Sequence, residues 1–276
     1  EKLQVETIDC YLLHALNAGS WTKCRDMDAC AWAEEQKARG TIGLFGFSFH
    51  DKSETFKTIV DEYDGWDFCQ IQYNYMDIDN QAGVEGLRHA AAKGLGVVIM
   101  EPLLGGKLAG TAPAPVQALW DSAATSRTPA DWALQWLWNQ PEVSTVLSGM
   151  STFEQVEQNL ASADASGAGT LSDAEVALVD QAREAYQGLS PVPCTGCKYC
   201  EPCPQGVAIP RIFAMYNEGA TYGTMEAVKR RYAKMDADKR ADRCVACGKC
   251  EDLCPQGIAV AEWMTKIHAD LQSAGS

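Results

Sequence analysis

Twelve cysteines occur in 276 residues, and eight of them fall into two short blocks near the C-terminal end. The blocks read Cys194-x2-Cys197-x2-Cys200-x2-Cys203-Pro204 and Cys244-x2-Cys247-x2-Cys250-x3-Cys254-Pro255. Three cysteines spaced by two residues wrap a tight loop, so that three thiolates converge on one face of an iron–sulfur cubane. The fourth, followed by proline, is aimed away and ligates the neighbouring cluster. On that rule Cys194, Cys197, Cys200 and Cys254 hold one [4Fe–4S] cluster, and Cys244, Cys247, Cys250 and Cys203 hold a second. Two tetrahedral zinc sites are the rival reading, but zinc modules favour CxxC pairs separated by a longer stretch over two triplets each trailed by Cys-Pro. A disulfide framework would be small and more evenly spread, and no secretory signal is visible. The cysteines therefore predict metal ligation in a reducing, cytoplasmic compartment.

The two blocks are also an internal repeat. Cys203-Pro-Gln-Gly-Val-Ala-Ile209 matches Cys254-Pro-Gln-Gly-Ile-Ala-Val260, and each runs on into an amphipathic helix. Ile209, Ile212, Phe213 and Tyr216 mark the first helix; Val260, Trp263, Met264, Ile267 and Leu271 mark the second. The forty or so residues between the blocks read as helical, so a mostly α-helical ferredoxin-type domain is expected over 191–276.

The elements upstream alternate. Apolar runs rich in Ile, Val, Phe and Tyr at Ile8–Leu16, Thr41–Phe49, Phe68–Tyr75, Gly96–Leu103 and Val143–Met150 read as strands. Helical spacing lies between them, with Phe56, Ile59, Val60 and Tyr63 on one face. Thr128-Pro129 marks a helix start, Ser151 with Glu154 and Ser172 with Glu175 read as capping boxes, and Gly94 reads as a helix stop. The segment from Leu104 to Arg127 reads as a long loop, and the small polar residues 161–171 as the end of the domain. Repeated βαβ units imply a parallel sheet, open and doubly wound or closed as a (β/α)8 barrel. No G-x-G-x-x-G follows a strand, which weakens the open dinucleotide-binding sheet. A barrel needs about 30 residues per unit, so the first 160 or so hold about five units. Three units short, and beginning without methionine, the chain is expected to be the C-terminal portion of a longer protein. The expected organisation is a barrel portion over 1–163, a connecting helix and linker over 164–190, and the cluster domain over 191–276.

A net charge of −14 argues against a nucleic-acid or anionic-membrane surface, where clustered Lys and Arg are needed. No run is long and apolar enough for a membrane span. His14 stands at the carboxyl end of the first strand, where catalytic groups of barrels collect. Trp132, Trp136 and Trp138 read as packing, and His50, His89 and His268 show no ligand spacing.

Five words appear in order: Ile8-Asp-Cys-Tyr-Leu-Leu-His14, Gly43-Leu-Phe-Gly-Phe-Ser48, Gln70-Ile-Gln-Tyr-Asn74, Met100-Glu-Pro-Leu-Leu-Gly-Gly-Lys107, and Leu147-Ser-Gly-Met150 followed by Glu157-Gln-Asn159. They resemble the aldo/keto reductase superfamily from its fourth strand to its eighth, in the branch that carries a C-terminal 4Fe–4S domain. The resemblance implies a partial TIM barrel, hydride transfer between NAD(P) and a small carbonyl or alcohol substrate, and a redox protein partner. It implies that His14 is the histidine of the family's Asp-Tyr-Lys-His tetrad, whose other members belong to units this chain lacks. It places Ser48 and Gln70 at the nicotinamide carboxamide, Met100 where many relatives have a ring-stacking Tyr, and Phe49 where many have Asn. Gly149, Met150 and Asn159 fall in the loop at the adenosine end. There Gly149 and Gln155 replace the basic residues that hold a 2′-phosphate, which favours NAD or an altered cofactor over strict NADP dependence. The alternative is a non-catalytic iron–sulfur electron-transfer protein on a degenerate barrel.

Overall fold

The computed structural model describes residues 4–272, and the chain divides into two compact units. One unit comprises Glu1–Thr111 with Trp120–Asp180, the other Ala112–Leu119 with Gln181–Ser276.

The first unit is built on five parallel strands in sequential order: β1 (Ile8–Leu16), β2 (Ile42–Phe49), β3 (Phe68–Gln72), β4 (Gly96–Met100) and β5 (Thr145–Val146). Parallel βα repetition with the strands in chain order is the arrangement of a barrel wall. Helices α1 (Ala18–Asp26), α2 (Ala29–Ala38), α3 (Ser53–Glu62) and α4 (Gly83–Ala92) fill the first three connections. In the fourth and beyond come α5 (Ala114–Ser122), α6 (Pro129–Trp138), α7 (Phe153–Asp164) and α8 (Asp173–Gly188). The unit boundaries fall inside α5 and α8.

Strand β2 shows why the sheet forms. Phe45, Phe47 and Phe49 alternate, all fully buried, and meet Trp66 and Phe56 at ring separations of 4.7–5.8 Å. A period of two puts these rings on the face covered by α3, where Phe56, Ile59 and Val60 are buried. Leu44, Gly46 and Ser48 occupy the opposite face, on which Leu44 is 46% exposed. Trp132 and Trp136 are buried on α6, with Trp132 stacked on Trp120 at 5.1 Å, so packing is their role.

Several local expectations need correction. The last strand shrinks to two residues, with two further backbone bonds to β4, from the Ser144 amide to the Val97 carbonyl and from the Leu147 amide to the Ile99 carbonyl. Two helices, not one, join β1 to β2, because Asp28 takes a left-handed backbone (φ 53°) and breaks the run. The region read as a long loop contains α5, where Pro115 sits in the first turn, a position that starts a helix instead of breaking one. The box at α7 is Thr152 with Gln155, one residue later than Ser151 with Glu154: Gln155 accepts from both the Ser151 and the Thr152 amides. That helix runs to Asp164, so part of 161–171 is helical. Thr128 caps α6 and Ser172 pairs with Glu175 as expected.

The second unit is helical. Its principal elements are α9 (Ile209–Thr221), α10 (Met225–Ala233), α11 (Lys249–Asp252) and α12 (Val260–Gln272), with 3-10 turns at Ala237–Lys239 and Ala241–Arg243. Its core joins Ile212, Phe213 and Tyr216 of α9 to Val228 and Tyr232 of α10 and Met264 and Ile267 of α12. No helix among the described residues is long and apolar enough to cross a membrane.

Candidate functional site

The repeat seen in the cysteine blocks extends to their backbone. In the first loop Gly196 and Lys198 have left-handed φ of 69° and 66°; in the second Ala246 and Gly248 have 52° and 73°. The amide of Glu201 donates to the Lys198 carbonyl at 2.9 Å, and that of Glu251 to the Gly248 carbonyl at 2.9 Å. Further on, the Gly206 amide donates to the Cys203 carbonyl and the Gly257 amide to the Cys254 carbonyl, at 2.9 and 3.0 Å. The same turn is therefore built twice from different residues.

Each loop borders a cavity. One is lined by Cys194, Cys197, Cys200 and Cys254, with Ile209, Phe213, Ile258 and Val260 behind them. The other is lined by Cys203, Cys244, Cys247 and Cys250, with Val207 and Ile209 behind them. Every predicted cluster cysteine is thus placed, and each cavity takes three thiols from one block and the fourth from the other. Six of the eight pack against the apolar core, while Cys197 and Cys247, the middle member of each triplet, are exposed. Among the described residues no three His, Cys, Asp or Glu groups come close enough to chelate a single ion. The eight sulfurs instead ring two hollows, an all-thiol donor set that suits an iron–sulfur group. Burial pushes the Cys200 thiol up to about 11, with Cys194, Glu201 and Cys250 adding to the shift, and burial raises Cys250 as well. Ligation must therefore displace protons from thiols that hold them firmly.

Ile209 lines both cavities; the sequence pattern placed it on the apolar face of a helix but not beside the cysteines. Its signal was present: it ends the repeated Cys-Pro segment and opens α9, matched by Val260 in the second copy.

The second candidate centre lies at the carboxyl ends of the first unit's strands. The ladder between β1 and β2 slips between Leu13, opposite Phe47, and Leu16, opposite Phe49. Two residues, His14 and Ala15, thus oppose Ser48 in a bulge. Ala15 adopts φ 54°, and its amide donates to Oγ of Ser48 at 2.8 Å. Ser48 is 1% exposed, whereas His14 beside the bulge is exposed. Ser48 is in register with Gln70 of β3, so His14, Ser48 and Gln70 form a row across three strands. Nε2 of Gln70 reaches Sδ of Met100 at 3.4 Å, and Nδ2 of the buried Asn74 donates to the Glu101 carbonyl at 3.0 Å. Those two contacts tie the end of β3 to the end of β4, where Glu101 has φ 56°.

Beyond β4 an open cleft, about 1730 Å3 to its mouth, is bordered by Met100, Gly149, Met150 and Asn159. Asn159 is fixed by a 2.9 Å bond from its Nδ2 to Oγ of Ser148. Among the described residues, Glu101 and Glu154 are the only charged side chains on its walls. Of the predicted cofactor residues, four border this cleft. Ser48 and Gln70 do not border it; they lie in the row with His14, joined to the cleft through Met100.

Because Ser48 is the acceptor for the bulge amide, Ser48→Ala leaves the Ala15 N–H unpaired in a part-buried place. The expected loss is about 1–3 kcal/mol of stability, read by denaturant unfolding. A change under about 0.5 kcal/mol would mean that the bulge holds itself.

Set against known proteins, residues 193–259 match the family model of the 4Fe-4S dicluster domain. No curated protein matches the chain. Among solved structures, aldo-keto reductase AKR11C1 from Bacillus halodurans in its holo form has a TM-score of 0.52 and 24% identity. That match covers 66% of this chain and 60% of the other. Its apo form matches with a TM-score of 0.52 and 23% identity, over 66% and 64%. At these identities the likeness establishes the fold, and the chain spans about 60–64% of the length of those relatives. Residues 1–184 match the family model of the aldo/keto reductases, so this chain, with its parallel sheet and its iron–sulfur domain, belongs to the aldo/keto reductase family.

Proposed function

We propose that the chain serves an oxidoreductase in which NAD(P)-dependent chemistry on a small carbonyl or alcohol is coupled to two [4Fe–4S] clusters. Cys194, Cys197, Cys200 and Cys254 would hold one cluster, and Cys203, Cys244, Cys247 and Cys250 the other. The observation that carries the reading is the crossed sorting of these eight thiols around two hollows in a chain of this family. Bound there, the clusters supply one-electron storage, and two such stores match in number the electrons of one hydride.

On the reductase face His14 would orient and polarise the substrate oxygen. The Ser48 oxygen already accepts the Ala15 amide, which leaves its hydroxyl proton for the carbonyl oxygen of a nicotinamide carboxamide. Gln70, whose nitrogen faces Met100, would offer Oε1 to the carboxamide nitrogen. Met100, Gly149, Met150 and Asn159 would wall the rest of the dinucleotide. A 2′-phosphate in that cleft would face Glu154 with no wall cation to offset it, which favours NAD over NADP. A redox protein would exchange electrons at the exposed Cys197 and Cys247 edges, in the reducing environment of the cytoplasm.

Anaerobically purified protein is expected to contain about eight iron and about eight sulfide per chain, four of each per cubane. Calorimetric titration is expected to show NADH binding at least about tenfold more tightly than NADPH, about 1.4 kcal/mol. Colourless protein carrying only zinc would overturn the cluster assignment. Full iron content without binding of either nucleotide would leave the electron-carrier alternative standing in place of the enzyme.

A further inference from the structure

Aligned within the repeat, Lys198 of the first loop corresponds to Gly248 of the second. Both positions take the left-handed backbone, φ 66° and 73°. Glycine adopts it freely, whereas a side chain with a Cβ is strained there. The first loop nonetheless carries lysine, and Lys198 lines the cavity of Cys194, Cys197, Cys200 and Cys254. The wall of the other cavity contains no Lys, Arg, Asp or Glu. The formal charges flanking the two blocks balance in each, so the difference between them lies at the cavity walls. Cys200 is followed by Glu201-Pro202, whereas Cys250 is followed by Glu251-Asp252; Lys249 and Arg243, in the second block, stand outside the cavity wall.

We propose that Lys198 makes the two cysteine quartets electrostatically unequal, so that the cluster of Cys194, Cys197, Cys200 and Cys254 has the higher reduction potential. The inference rests on the two-cluster reading above. Reduction adds one negative charge to a cluster, and a cation on the cavity wall favours the more negative state. An electron arriving at either quartet then comes to rest at the first: the second is oxidised by one electron as the first is reduced by one. Lys198 is exposed, so dissolved salt reaches its charge, and the inequality shrinks as ionic strength rises.

The test is an anaerobic dithionite titration of the iron-loaded protein, followed by electron paramagnetic resonance, on wild type, Lys198→Gly and Lys198→Arg. Wild type is expected to reduce in two steps differing by at least about tenfold in electron affinity, about 59 mV for a one-electron couple. Lys198→Gly is expected to lower the upper step toward the lower and leave the lower in place, while Lys198→Arg keeps both. Glycine suits this backbone, so the thermal midpoint of Lys198→Gly should stay level or rise, which separates a shift in potential from misfolding. Coincident steps in wild type, an equal shift of both steps, or an arginine variant that behaves like the glycine variant would each overturn the inference. Iron at about four per chain in the same samples would instead bring down the two-cluster reading, and the inference with it. About eight iron with steps that ignore residue 198 would sink the inference alone.

Discussion

Stripping iron from the anaerobic protein with a strong chelator is expected to unfold the second unit and leave the first standing. The apolar core of the second unit is real, but six of the eight block cysteines pack directly against it, and Ile209 closes both cavities from within. Without ligation, the two loops keep eight thiols around hollows with nothing to draw them together. The loops also hold Lys198 and Ala246 in left-handed backbone, a cost of about 1–2 kcal/mol per residue. A domain of this size is stable by about 5–15 kcal/mol in all, so removal of the ligation that closes both loops should consume most of it. The two units can be followed separately. Trp263 is the only one of the eight tryptophans in the second unit, so fluorescence reports the first, while loss of far-ultraviolet helicity reports α9, α10 and α12. Helicity and protease resistance that survive complete iron removal would show that the core alone holds the unit. Cys197→Ser, which removes one exposed thiol of the proposed cluster set, should weaken the first loop without touching the packing beneath it.

The chemistry of the second unit was legible because its rules are local. A spacing of two residues fixes how three sulfurs turn toward one point, and a proline after the fourth aims it elsewhere. The crossed cavities follow from those two facts. Lys198 and Ile209 were less visible, since their importance depends on what lies across a cavity, and only alignment of the repeat hints at either. In the first unit the strands whose apolar residues alternate or run unbroken, β1 to β4, could be placed from sequence. The last strand could not, because Val143–Met150 has the composition of a strand but bonds to β4 only over Ser144–Leu147. The helix over Ala114–Ser122 was hidden by a proline that reads as a breaker unless its position in the first turn is known. His14 at a strand end was legible; the bulge that presents it was not. That bulge depends on a hydrogen bond between residues 33 apart, from Ala15 to Ser48, which no local pattern announces.

Gly46→Ala is expected to be the most damaging single substitution in the sheet. Gly46 lies in β2 opposite Phe68 of β3, and a Cβ placed on it would stand 2.4 Å from the Phe68 carbonyl oxygen and 2.8 Å from its ring. The ring could turn aside, but the oxygen belongs to the backbone of a strand paired on both sides and cannot move alone. Relief therefore requires β2 and β3 to separate, which opens the pairs Phe47 with Cys69 and Ser48 with Gln70 immediately above. Overpacking of this kind costs about 3 kcal/mol or more where no flexible neighbour absorbs it. Gly94→Ala supplies the comparison: Gly94 has φ 83° but open space around it, so its cost is the left-handed backbone alone, about 1–2 kcal/mol. Denaturant midpoints of the two variants decide the matter, and a Gly46 variant no less stable than the Gly94 variant would refute the close approach of the strands. If the strands do part, the Ser48 side chain moves with β2, the Ala15 amide loses its acceptor, and the bulge that carries His14 loosens. Nicotinamide affinity should then fall in Gly46→Ala and hold in Gly94→Ala, because the separation is transmitted along the ladder to the row of His14, Ser48 and Gln70.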